Sequence, residues 1–229
     1  MDITEAVEQR RSIRAFKSDT VPKKVLEELM KQALRAPSWA NTQPWEFAIV
    51  GGEQVKKIGQ AYVERVEAEE LRNTDLARPL GYPEPYDTRR RSNGRGLFEV
   101  MGLQREDTER RRLWSLQGLK FFGAPNIIII YIERAFYLQS DGVNIWPIFD
   151  CGIVAQSIML LAQEYGLGTI PEIQAVAYPD VLREVLGIPD TKLIVLGLAI
   201  GYPDWDNPVN QFRSSREPLA NVVKWCGFD

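Results

Sequence analysis

A chain of 229 residues, 45% hydrophobic and 26% charged, has the makeup of a soluble globular protein with one large domain or two small ones. Its net charge of -3 gives no general pull toward nucleic acid or an anionic membrane. It has no histidine, which excludes Ser-His-Asp and Cys-His hydrolysis, His-ligated zinc and histidine acid–base chemistry.

Asp2-Ile3-Thr4-Glu5 predicts a capped start for a short helix that ends near Arg10–Arg14. Met1 to Arg14 is charged and amphipathic, so no signal peptide is visible, and no apolar run is expected to approach the roughly 20 residues of a membrane span. Pro22 opens a second helix with a stripe of Val25, Leu26, Leu29, Met30, Ala33 and Leu34. The stretch Ala36 to Trp45 follows, with Pro37 and Pro44 enclosing Ser38, Asn41, Thr42 and Gln43. Proline lacks a donor N–H and pushes its predecessor out of the helical region, so this is a stiff, polar loop. It is either a plain connector or part of a site.

A strand through Phe47–Val50 and a helix over 53–71 come next. Residues 73–112, rich in Pro, Gly, Tyr and Arg, read as an excursion with little regular structure until a helix begins near Arg105. Such a segment is a lid or a solvated insertion. Ile127–Ile132 predicts a strand buried on both faces. Pro147–Tyr165 predicts a helix apolar on nearly every side, and therefore one buried at the domain centre or shared with a second subunit. A Gly-rich turn, a short helix from Tyr178 and a last core strand over 193–200 precede a polar tail. Strands separated by helices define a mixed α and β class.

Cys151 and Cys226 are far apart and match no metal-ligand spacing, which points to a reducing compartment. Nucleotide-binding glycine fingerprints are absent. Two arginine groups remain. Arg10 and Arg14 share a face if helical, with Ser12 between them, and Arg213 and Arg216 flank Ser214 and Ser215. Guanidinium forks beside hydroxyls suit a phosphate dianion. Each group alone is more commonly a solvated face or an ion-pair partner.

Taken together, Arg-Arg-Ser-Ile-Arg (10–14), Pro-Ser-x-x-Asn-x-Gln-Pro-Trp (37–45), Gly-Leu-Gly-Thr (166–169) and Arg-x-Pro-Leu (216–219) resemble the nitroreductase family of flavin mononucleotide (FMN) enzymes. The likeness covers nearly the whole chain. It is nearest to the subgroup of nitrobenzoate and nitrobenzene reductases, through Tyr178–Val181, Arg183–Asp190 and Gly201–Asp204. The resemblance implies an α+β nitroreductase-like fold with a central mixed β-sheet flanked by helices, in an intertwined homodimer. One domain would span 1–229, with a lid-like excursion at about 73–112 and a tail at about 202–229 embracing the partner.

It further implies FMN as cofactor and NADH or NADPH as hydride donor, with reduction of nitroaromatic or related acceptors. Arg10, Arg11, Ser12 and Arg14 would hold the FMN phosphate, ribityl chain and ring edge, with Arg213, Ser214 and Arg216 completing the phosphate site. Pro37, Ser38, Trp39 and Asn41 would lie against the ring from the partner subunit, and Pro171, Glu172 and Ile173 at its reactive edge. Ile170-Pro171-Glu172 departs from the subgroup's usual Cys-Pro-Gln. A flavin carries the hydride chemistry itself, which agrees with a chain lacking histidine. The expected partners are a second copy and small molecules, without nucleic acid or membrane, in the cytoplasm. Other acceptors (reductive dehalogenation or dehydrogenation) and a non-enzymatic flavin-binding module use the same scaffold.

Overall fold

The structure is a computed structural model that describes residues 1–228. Helix α1 (Ile3–Gln9) starts at Asp2, whose carboxylate accepts hydrogen bonds from the Thr4 and Glu5 N–H groups. It ends at Arg10, and the following residues are extended. The expected helical face shared by Arg10 and Arg14 is therefore corrected. Ser12 forms a parallel bridge with Thr169, and Ile13 N–H donates to the Thr169 carbonyl at 3.0 Å. Those sheet-type bonds replace the helical ones.

Helix α2 (Lys23–Ala33) follows Pro22 and buries Leu26, Leu29, Met30 and Ala33. Strand β1 (Trp45–Gly51) leads to α3 (Glu53–Glu67). The excursion is more regular than its composition predicts, because α4 (Tyr86–Val100) precedes α5 (Thr108–Leu119). Only Leu97 of α4 is buried, so the helix carries no apolar stripe to read. Asp87 instead pairs with Arg90 and Arg91 one turn on, the kind of support that periodicity of apolar residues does not reveal.

Strand β2 (Asn126–Glu133) is followed by the one-turn α6 (Arg134–Tyr137) and a small hairpin of β3 (Leu138–Gln139) and β4 (Gly142–Val143). Then come α7 (Trp146–Glu164), β5 (Gly168–Glu172), α8 (Pro179–Leu186), β6 (Lys192–Gly201) and α9 (Leu219–Val222). The main sheet has the order β1-β2-β6-β5, and every neighbouring pair is antiparallel. The expected mixed character survives only in the parallel Ser12–Thr169 bridge at its β5 edge.

Ile127 to Ile130 are fully buried because helices cover both sides of the sheet. Ile127 and Ile129 pack with residues of α3, α5 and α8, whereas Ile128 and Ile130 pack with α2 and α7. Helix α7 corrects one expectation: its 19 residues are long and apolar enough, by length and composition, to cross a membrane. Within the single chain it is not covered all round, so of the two expected places for it the domain centre is ruled out. Val154, Ala155, Ile158 and Ala162 face the core, but Phe149 is 61% exposed and Trp146 46%. The helix lies on one side of the sheet, which leaves its outer face uncovered.

Candidate functional site

The site is built where the two ends of the chain meet. Along an extended segment side chains alternate, so Arg10, Ser12 and Arg14 share one side while Ile13 turns inward and is 2% exposed. Gly168 makes that approach possible. A Cβ there would stand 2.5 Å from Ile13 Cγ1 and 2.7 Å from Pro203 Cγ. The Gly-Leu-Gly-Thr turn is thus a packing requirement for the Arg10–Arg14 segment.

From the other end, residues Pro208–Gln211 form a short 3-10 helix, after which Phe212–Arg216 runs without regular secondary structure beside the first segment. Asn210 joins them. Fully buried, it accepts from Arg14 N–H at 2.8 Å through Oδ1, and its Nδ2 donates to the Ala15 and Asp204 carbonyls at 2.8 and 2.7 Å. Motif reading missed this residue. The Asp-Asn-Pro-Val-Asn run marks a turn but does not say which amide is buried.

One cleft is lined by Arg10, Arg11, Ser12, Arg14, Arg213, Ser214 and Arg216. The structure therefore brings together all seven residues that the two arginine motifs single out. None of the five arginines has a carboxylate partner among the described residues, unlike Arg89, Arg134 and Arg183. Four of them donate instead to carbonyls: Arg11 to Asn210, Arg14 to Ser12, Arg213 to Glu8, and Arg216 to Ser214 and Ser215. Burial and then the neighbouring Arg216 lower the Arg10 pKa, and burial and then Arg213 lower that of Arg11. Burial also lowers Arg14, with Glu172 opposing. Glu8 also lines the cleft but forms no ion pair with these arginines, and like charges held this close suit an anion.

Strand β5 brings Glu172 within electrostatic reach of Arg14. Glu172 is buried, whereas Pro171 and Ile173 are exposed beside it. On the tail side, α4 lies against the cleft's rim. Arg89 pairs with Glu217 at 2.9 Å, and Gly96 leaves room for the Phe212 ring. Arg11 lies over the Trp205 ring at 5.2 Å.

Pro37, Ser38, Trp39 and Asn41 do not line this cleft. Their loop packs on α7, where Trp39 N–H donates to both carboxylate oxygens of the buried Asp150, at 3.1 and 3.2 Å. Ser38 Oγ accepts from Gln43 N–H at 2.9 Å. Ala40, Asn41 and Gln43 all have positive φ, a conformation disfavoured for residues with a Cβ. The Trp39 ring stacks on Trp146 at 4.8 Å between centroids, and both rings are about half exposed. Asp150, too, escaped the sequence reading, since a carboxylate inside an apolar helix has no spacing that assigns it a partner.

A sheet covered on both faces, with an arginine-lined cleft where the two chain ends meet, defines an α+β protein with a site suited to an anion. The chain belongs to the nitroreductase family, whose model matches residues 7–202. It is 30% identical over 227 residues to a 4-nitrobenzoate reductase from Nocardioides sp., covering 97% of this chain and 89% of that one. It is 33% identical over 225 residues to a chloronitrobenzene nitroreductase from Comamonas testosteroni, covering 96% and 95%. Among solved structures, the FMN and NADPH-dependent nitroreductase NfnB from Sphigopyxis sp. strain HMH superposes with a TM-score of 0.92. That match is at 32% identity over 100% of both chains.

Proposed function

We propose that this protein is an FMN-dependent NAD(P)H oxidoreductase that reduces nitroaromatic or related electron-poor acceptors. The observation that carries the reading is the convergence of five arginines without carboxylate partners on one cleft, in a chain whose relatives are nitroreductases. Arg10, Ser12, Arg14, Arg213, Ser214 and Arg216 hold the FMN phosphate and ribityl chain by charge-assisted hydrogen bonds. Bound there, FMN supplies the hydride chemistry between the nicotinamide donor and the acceptor.

The chain's own work is binding, orientation and electrostatics. Asn210 locks the backbone of Arg14 to the tail, which sets the distance between the two arginine groups. Arg14 and Arg11 would supply positive charge to stabilise a bound flavin as it gains electrons. The exposed Pro171 and Ile173 border the acceptor's approach, and α4 forms a wall beside the tail.

The functional unit is a homodimer. Trp39, Trp146 and Phe149 form an exposed aromatic surface, and the tail presents Leu219, Val222 and Trp225 to solvent. Apolar area of that kind favours a protein partner. Pro37, Ser38, Trp39 and Asn41 then serve the flavin held by the partner's arginines, so that each site is composite. Two free cysteines support a reducing, cytoplasmic setting.

Purified protein should be yellow, dimeric, and able to oxidise NADH or NADPH in the presence of a nitroarene. Colourless protein that takes up no FMN would overturn the reading. Full activity in a monomer would remove the composite site while leaving the flavin chemistry intact.

A further inference from the structure

The end of β5 carries a carboxyl group behind the arginine cleft, outside its lining but within electrostatic reach of Arg14. Glu172 is 5% exposed, and its Oε1 is buried without a hydrogen-bond partner. Arg14 acts on it electrostatically, yet the Arg14 guanidinium donates to the Ser12 carbonyl at 3.3 Å and not to Oε1. Across the sheet, Glu172 faces Gly197, with Ala175 packed against that glycine. The charged residue of β6, Lys192, sits at the strand's other end and is held by Glu46 and Glu133. The turn after β5 adds only Gln174, Ala175 and Val176. On Oε1 an ionised Glu172 would lose its water and receive no hydrogen bond in exchange, with Arg14 as the cation near it. A buried carboxylate in that position gives up its charge.

We propose that Glu172 works as a neutral carboxylic acid beside Arg14, which leaves the arginines of the cleft free to accept negative charge. It is a positioning residue for an anionic ligand and takes no covalent part. Burial pushes its pKa up to about 8, and the opposing pull of Arg14 is the smaller effect. Below that pH Arg14 has a neutral neighbour and keeps its charge for the ligand. Above it, a carboxylate competes with the ligand for Arg14 and repels the ligand's charge. The inference rests on the FMN reading for its probe, but the charge state of Glu172 belongs to the protein alone.

The test compares wild type with Glu172→Gln, which keeps the shape and a donor but cannot ionise. FMN affinity of the stripped protein is measured by fluorescence at about pH 6.5 and about pH 9.5. The wild type should weaken by roughly tenfold more than the variant, the factor that one pKa unit of coupling gives. Changes in FMN's own ionisation are common to both proteins and cancel. A second readout needs no flavin. The infrared carbonyl band of a protonated carboxylic acid should be present in wild type at neutral pH, disappear at alkaline pH, and be missing from the variant.

Parallel pH profiles for the two proteins, or no such band at neutral pH, would overturn the proposal. Should the variant fail to fold, the wild-type band and its titration decide by themselves. Protein that binds no FMN at any pH defeats the functional reading, whereas the band still decides the state of Glu172.

Discussion

Arg14 and Asn210 stand 196 positions apart in the chain and are joined by a 2.8 Å hydrogen bond from the Arg14 N–H to the Asn210 Oδ1. The amide that accepts this bond also donates to Ala15 and Asp204. One buried side chain thereby ties the first arginine segment to the tail that carries the second.

Asn210→Ala should accordingly lose stability and ligand affinity together. Three hydrogen bonds disappear and buried backbone groups lose their partners, an effect of about 2–4 kcal/mol in unfolding free energy. Urea unfolding checks that value. FMN retention should fall as well, because the spacing between arginine groups is no longer held. A variant as stable as wild type would mean that the tail docks without this amide.

Arg216→Ala should weaken FMN retention by roughly 10- to 100-fold, the worth of one charge-assisted contact. Its folding stability should change little, since Arg216 is exposed and donates only to the carbonyls of Ser214 and Ser215. Equilibrium dialysis of FMN against both proteins measures the difference, and equal affinities would place Arg216 outside the phosphate site.

Ala40 has φ 48 and is exposed in the loop between α2 and β1. Glycine adopts that conformation without the strain of a Cβ. Ala40→Gly should leave stability unchanged or raise it by up to about 1 kcal/mol, against the loss expected in a helix. A clear loss by denaturant titration would show that the methyl group packs usefully. Asp150→Ala should act the other way, by leaving the Trp39 N–H without its acceptor.

Glu172 also makes stability depend on pH. Its pKa rises from 4.5 in the free chain to about 8 on folding. Between these values the unfolded chain has released the proton and the folded chain still holds it, so wild-type stability falls as pH rises through that window. The contribution is present below about pH 4.5 and gone above about pH 8. Glu172→Gln lacks it. The variant's advantage should therefore grow across the window to an upper limit of a few kcal/mol, then stay level. Unfolding midpoints measured at several pH values test the sign.

The order of helices and strands was legible wherever a segment buries one defined face. The α2 stripe and the continuous apolar run of β2 are examples, because burial writes a period into the sequence. Helix α4 was not legible, since it buries only Leu97 and is supported by charge pairs. Both arginine groups were visible as motifs, but the conformation expected for the first was wrong. Its hydrogen bonds go to Thr169, a partner that no local pattern names.

By itself the sequence excluded histidine chemistry, named the arginine and hydroxyl residues, and carried the family's motifs in order, because residue type and local spacing are properties of the chain. Tertiary structure alone decided that the two arginine groups face one cleft, that Asn210 joins them, and that Glu172 is buried beside Arg14 without a partner for Oε1. Those facts depend on which distant segments share a sheet edge. Burial and charge act through space, so the chemical state of a carboxyl group is set by neighbours that its sequence position does not reveal.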